Sequence, residues 1–245
     1  MLDKHQPIIA LDFASVQDAK DFLTKMPKHQ PLNLKIGMEL YYLSGSEFVK
    51  SLVDQGHKIF LDLKLHDIPN TVERSMRILA QLGIAMVNVH AAGGQEMMTA
   101  AKEGLLSANI QSQPLLIAVT QLTSTSHEQL ITEQLISSSM EDCVQHYARL
   151  ALQAGLDGVV CSPQEAHLIK EVTHSHFLTV TPGIRSQHVP HTDDQKRTLD
   201  IASAIRNKCD FLVIGRPITR SNDPEQVYQQ AVKMILQTRK EIDNA

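Results

Sequence analysis

Eight short apolar runs of β type recur along the chain, and between them lie stretches whose apolar residues fall at helical spacing. The first four runs are I-I-A-L-D-F (8–13), N-L-K-I-G-M (33–38), K-I-F-L-D-L-K (58–64) and M-V-N-V-H-A (86–91). The second four are L-L-I-A-V-T (115–120), G-V-V-C-S (158–162), F-L-T-V-T-P (177–182) and F-L-V-I-G-R (211–216). Amphipathic segments such as Thr71–Leu82 and Gln95–Leu106 separate them, and Asn-Asp-Pro opens a last helix over roughly Pro224–Lys240. Strands alternating with helices predict a parallel sheet covered by helices. A count of eight favours the closed (β/α)8 TIM barrel, an α/β fold, over an open doubly wound sheet. No Gly-x-Gly-x-x-Gly follows the first run, which weakens the open alternative further.

The same patterning exposes an anomaly. Side chains alternate across a strand, so Ile59, Leu61 and Leu63 share a face towards the helices and leave Phe60, Asp62 and Lys64 towards the barrel interior. In the second run Lys35 and Gly37 fall opposite Leu34 and Ile36; in the first, Asp12 shares the phase of Ile8 and Ala10; in the fourth, Asn88 and His90 fall together. Polar groups thus collect near the C-terminal ends of four consecutive strands. One strand-end Asp or Lys is ordinary, but desolvating a lone charge costs several kcal/mol unless it is paired. Lys35, Asp62 and Lys64 would compensate one another, forming an electrostatic cluster where the active sites of such barrels lie.

The far end of the chain carries a second signal. Thr-Pro-Gly-Ile-Arg (181–185) follows run seven, and Ile-Gly-Arg-Pro-Ile (214–218) closes run eight. Loops after strands seven and eight are the common phosphate site of these barrels. Gly183 and Gly215 would let backbone N–H groups approach an anion, with arginine as a bidentate donor. The longest irregular regions, Gln121–Met140 and Gly183–Arg197, each follow a strand and are candidate binding loops.

Composition narrows the partners. At 245 residues the chain fits one barrel domain spanning 1–245. A net charge of −4 without a basic block argues against nucleic acid, and no run reaches the roughly 18 apolar residues of a membrane span. The N-terminal M-L-D-K-H-Q-P lacks the pattern of a secretory signal. Cys143, Cys161 and Cys209 are far apart and lack C-x-x-C spacing, which reads as reduced thiols of a cytoplasmic protein. The 12 histidines include no convincing metal-ligand set, and no cofactor motif is visible. The expected ligand is small and anionic.

The stretch L-D-L-K-L-H-D-I-P-N-T (61–71) resembles the signature of the orotidine 5′-phosphate decarboxylase family. The similarity extends to A-L-D-F (10–13), L-K-I-G (34–37), L-L-I-A-V-T-Q-L-T-S (115–124), D-G-V-V-C-S (157–162), T-P-G-I-R and V-I-G-R-P-I-T, so it covers nearly the whole chain. No phosphoribosyltransferase domain is read in the sequence, so the form expected from the resemblance is the bacterial single-function one. Asp-x-Lys-x-x-Asp alone is shared with related sugar-phosphate lyases and epimerases, which use a metal-bound enediolate; a nucleotide-binding module without catalysis is a further alternative.

The resemblance implies conversion of orotidine 5′-phosphate to UMP without a cofactor, in a homodimer with active sites at the interface. It makes Lys64 the proton donor, with Lys35, Asp62 and Asp67 completing its charged network. It implies that Asp67 reaches the partner's site together with Ile68 and Thr71, and that Asp12 and Lys35 lie near the ribose. Thr123 matches a pyrimidine-side contact, while Arg185, Gln195, Gly215 and Arg216 match the phosphate-gripping set. The chain departs from many relatives after strand seven, with Ile-Arg-Ser-Gln-His in place of Ile-Arg-Pro.

Overall fold

A computed structural model describes residues 2–28, 30–184 and 197–244, and in it eight parallel strands close into a barrel in chain order. The first half runs β1 (Ile8–Ala10), α1 (Val16–Leu23), β2 (Asn33–Gly37), α2 (Met38–Asp54), β3 (Lys58–Leu65), α3 (Pro69–Ala80), β4 (Met86–His90) and α4 (Gly94–Ser107). The second runs β5 (Leu115–Val119), α5 (His127–Thr132), α6 (Met140–Gln153), β6 (Gly158–Val160), α7 (Ala166–Val172) and β7 (Leu178–Thr181). It closes with α8 (Ile201–Arg206), β8 (Phe211–Ile214), α9 (Arg216–Thr219) and α10 (Pro224–Asp243), and β1 pairs with β8 through Ile8–Val213 and Ile9–Ile214. The (β/α)8 expectation is met.

Strand alternation sorts the apolar residues into two cores. Leu34, Ile36, Ile59, Leu61, Val87 and Val89 pack outward against helix residues such as Phe48, Met76 and Leu105. Ile8, Ala10, Phe60, Met86, Ile117, Val180, Phe211 and Val213 fill the barrel interior. The inward phase read from the sequence is therefore correct for β1 to β4, and its apolar members form the floor beneath the polar residues. Gly158 opens β6 because a Cβ there would stand 2.3 Å from the carbonyl oxygen of Leu178 on the neighbouring strand.

Seven of the eight strands end earlier than the apolar runs suggest, and β3 runs one residue longer, to Leu65. Asp12, Ser162, Pro182, Gly215 and Arg216 leave the sheet and enter the loops at its C-terminal edge. Leu11 still donates its N–H to the Lys35 carbonyl at 2.9 Å, so Asp12 is the first residue of β1's exit that is free to turn into the mouth. The region 121–140 is not wholly irregular: it holds α5, opened by a capping box in which Ser126 and Gln129 satisfy each other's backbone N–H groups. Helix α3 starts at Pro69 rather than Thr71, with proline in the first turn where its missing N–H costs nothing. Asp223 caps α10 by accepting from the Gln226 N–H at 3.0 Å.

The end of the barrel remote from these loops has its own polar lock. Lys170 of α7 donates to Asp210 Oδ2 at 2.7 Å and to the carbonyls of Phe177 and Ser175 at 2.7 and 2.9 Å. The same Asp210 oxygen accepts from the Thr179 N–H at 2.8 Å, which joins α7, β7 and the start of β8. No helix among the described residues is long and apolar enough to cross a membrane.

Candidate active site

At the C-terminal mouth of the barrel a cavity of about 490 Å³ gathers side chains from strands far apart in sequence. Four of them form a chain of alternating charge. Lys35 Nζ lies 3.0 Å from Asp12 Oδ1 and 3.2 Å from Asp62 Oδ2, and Lys64 Nζ lies 2.8 Å from Asp62 Oδ1. All four line the cavity, with Phe60 and Val213 of the inner core below them.

Asp62 is the hinge of this array. It is 8% exposed, and each of its oxygens faces a different ammonium group. Burial pushes its carboxyl up, but the charges of Lys35 and Lys64 and hydrogen bonds from Lys64 and Asn88 outweigh it and hold it below the usual carboxylate range. Burial likewise pushes Lys35 down, yet Asp62 and Asp12 prevail and keep its ammonium above the usual lysine range. The Asp62 contribution to stability is therefore complete above the unfolded carboxyl's value of about 4 and is lost as pH falls through the lower folded value. That of Lys35 is complete below about 10.4 and is lost as pH rises through its raised folded value. Denaturant midpoints of wild type and Asp62→Asn should differ by a constant amount from neutral pH down to about pH 4, then converge in stronger acid. A gap already closing between about pH 7 and pH 5 would contradict this assignment.

Lys64 reaches the array by a route that simple alternation does not describe. The β3–β4 ladder runs Phe60–Met86 and Leu61–Val87 but resumes only at Leu65–Val89, so β3 bulges between Leu61 and Leu65. Lys64 sits in that bulge with φ +53, a left-handed conformation uncommon for lysine. Its backbone N–H donates to Asn88 Oδ1 at 2.8 Å, and Asn88 Nδ2 donates to Asp62 Oδ1 at 2.7 Å. His90, half-buried beside His66 at a ring separation of 5.8 Å, is pushed below the usual imidazole range by burial, His66 and Lys64.

The cavity is also lined by Thr123 and Ser124 after β5, Pro182 and Gly183 after β7, and Gly215, Arg216 and Arg220 after β8. The two arginines are four positions apart across α9 and give the rim after β8, the strand paired with β1, a positive character. Gln121, buried beneath Leu122, donates to Gln134 Oε1 at 2.9 Å and anchors the loop after β5. Arg197 ion-pairs with Glu165 of the loop after β6 and donates to the Leu122 carbonyl at 2.9 Å, so residues past strands five, six and seven are tied together.

Residues 5–231 match the model of the "Orotidine 5'-phosphate decarboxylase / HUMPS family". The chain belongs to that family. It is 54% identical over 225 residues, 92% of this chain and 94% of the relative, to a protein of Streptococcus pneumoniae serotype 4 named orotidine 5′-phosphate decarboxylase. A protein of the same name from Streptococcus suis is 54% identical over 223 residues, 91% of this chain and 94% of its own length. The structure is similar to that of orotidine 5′-phosphate decarboxylase from Lactobacillus acidophilus, with TM-score 0.85 and 39% identity over 94% of this chain and 99% of the other. An uncharacterized conserved protein from Geobacillus kaustophilus gives TM-score 0.83 at 45% identity, covering 93% and 99%.

Of the positions matched to the decarboxylase family, Asp12, Lys35, Asp62, Lys64, Thr123, Gly215 and Arg216 converge on the one cavity. Arg185 and Gln195 lie outside the described residues. Asp67, Ile68 and Thr71 are exposed and do not line this chain's cavity; Asp67 Oδ1 accepts the Ile68 N–H at 2.6 Å. Sequence reasoning placed Asn88 in the inward phase without giving it a role, and it passed over Gln121, Ser124 and Arg220. Arg220 had a faint signal, one turn beyond Arg216, whereas the Asn88 contacts depend on a bulge with no signature in composition or period.

Proposed function

We propose that the protein decarboxylates orotidine 5′-phosphate to UMP, without metal or organic cofactor, as a one-domain cytoplasmic homodimer. The observation that carries this reading is the array Asp12–Lys35–Asp62–Lys64, ending in an ammonium that opens on the same cavity as Gly215 and Arg216. The identically named relatives add to its weight.

Breaking the bond from C6 to the carboxylate leaves the electron pair on C6, in the plane of the ring, where the π system cannot delocalise it. Fixed charge is the remaining means of stabilisation. The Lys64 ammonium favours that developing negative charge and then transfers its proton to C6, giving UMP and carbon dioxide. Asp62 aims the ammonium through its 2.8 Å contact, and Lys35, bonded to Asp12, is placed to meet ribose hydroxyls. Arg216 and the open backbone at Gly215 take the phosphate, a remote group whose binding energy orients the reacting carbon. The direct test is loss of orotidine phosphate absorbance in metal-free buffer with chelator present. Turnover that vanishes on chelation and returns with Mg²⁺ would overturn the cofactor-free reading and favour a metal-dependent lyase.

The homodimer is supported by what lies outside the cavity. Met38, Tyr42 and Leu43 in the first turns of α2, and Ile68 beside exposed Asp67 after β3, are large exposed apolar residues. Asp67 then serves the partner's array rather than its own. Mixing inactive Asp67→Ala and Lys64→Ala proteins and allowing subunits to exchange should restore about a quarter of wild-type activity, because each mixed dimer holds one complete site. No recovery after exchange demonstrated by a mass-tagged subunit would exclude a shared site.

A further inference from the structure

We infer that Asn88 is a positioning residue for the decarboxylation, holding the Lys64 backbone and the Asp62 carboxylate in register with each other through the two ends of one amide. This rests on the decarboxylase reading for its kinetic consequence, but its geometric basis stands separately.

Asn88 is fully buried on β4, and both of its amide atoms are committed. Its Oδ1 accepts the Lys64 N–H at 2.8 Å, and its Nδ2 donates to Asp62 Oδ1 at 2.7 Å. The partners dictate the amide's orientation: a backbone N–H can only donate, and an ionised carboxylate can only accept. The oxygen that receives Nδ2 is the one that faces Lys64 Nζ at 2.8 Å. One side chain therefore controls where Lys64 starts, at its backbone, and where its ammonium ends, through Asp62.

The bulge explains why an asparagine is needed. Between Leu61–Val87 and Leu65–Val89 the strand ladder lapses, and the Lys64 N–H finds a side-chain carbonyl rather than a strand carbonyl. That bond supports a lysine at φ +53 which the ladder does not hold. If the amide is lost, the bulge can relax and the ammonium can shift by a fraction of an ångström to an ångström. A displacement of that size reduces rate by up to about 100-fold while leaving remote binding contacts in place.

The titratable groups around Asn88 are Asp62, Lys64 and His66 on β3 and its exit, Lys35 on β2 and His90 on β4; from β5 its register partner is Ile117. All of these are common to wild type and variants. Asn88→Asp then supplies a distinctive test. As a neutral acid it can accept the Lys64 N–H on its carbonyl oxygen and donate its O–H to Asp62, copying the amide. Once ionised it loses the donor and repels Asp62.

The experiment compares kcat, KM and thermal midpoint of wild type, Asn88→Ala and Asn88→Asp across pH, at temperatures where each is folded. For Asn88→Ala, kcat should fall roughly 10- to 100-fold with KM changed less than about threefold. For Asn88→Asp, kcat should fall as far in mildly alkaline buffer and recover as pH is lowered, a rise that wild type lacks. A second readout needs no turnover: the midpoint of the Asp62 carboxyl signal, followed by carbon NMR, should move up in Asn88→Ala. Folded variants with near-wild-type kcat, no acid recovery and an unmoved Asp62 midpoint would overturn the inference. Wild type inert towards orotidine phosphate would instead sink the decarboxylase reading, and the Asp62 midpoint would still decide the positioning role.

Discussion

Lys64→Ala is expected to lower kcat by roughly 10⁴-fold or more, because it removes both the proton donor and the fixed charge facing C6. It also leaves the array with two carboxylates, Asp12 and Asp62, against the single cation Lys35. UMP carries no carboxylate at C6, so its binding by calorimetry should survive the substitution far better than turnover does. Lys64→Arg sharpens the test. A guanidinium keeps the positive charge but does not release its proton, so it should restore little of the rate. A Lys64→Ala protein within tenfold of wild type would exclude Lys64 as the proton donor and move attention to Lys35.

At the other end of the barrel, Asp210→Ala is expected to reduce stability by about 3 kcal/mol, since a cation with only 7% of its side chain exposed would lose its carboxylate. For a chain of this size that corresponds to a fall in Tm of roughly 6–12 °C. The Thr179 N–H also loses its acceptor, so two strands and a helix slacken together. Lys170→Met should cost less, because it removes the charge while keeping the apolar stem's packing. At temperatures where it is folded, Asp210→Ala should turn over at close to the wild-type rate, as its network lies away from the mouth. A large loss of kcat without loss of Tm would refute this division between a stabilising end and a reacting end.

Lys64 and Lys170 illustrate how differently two partly buried, ion-paired lysines read in sequence. Lys64 lies in a β run where apolar neighbours make its charge conspicuous. Lys170 lies in an amphipathic helix, where a lysine is unremarkable until its ammonium is seen reaching two carbonyls and Asp210. Asp67 and Ile68 show a third situation. Their motif is recognisable, but no periodicity says where an exposed residue beyond a strand end will act.

The sequence by itself determined the eight-strand alternation, the two faces of β1 to β4, and the gathering of Asp12, Lys35, Asp62 and Lys64 at one end. These follow from local rules, because a strand's period of two and a helix's 3.6-residue repeat are written in consecutive residues. Only the tertiary structure decided that Lys35 joins Asp12 to Asp62, since the Lys35–Asp12 contact spans 23 positions and depends on barrel closure and strand register. It also decided that Lys64 enters from a bulge, at a φ that alternation cannot foresee. Above all it placed Asn88, 26 positions beyond Asp62, where one amide bonds both the carboxylate and the lysine's backbone. The bulge offsets the two strands by a register that no local pattern encodes.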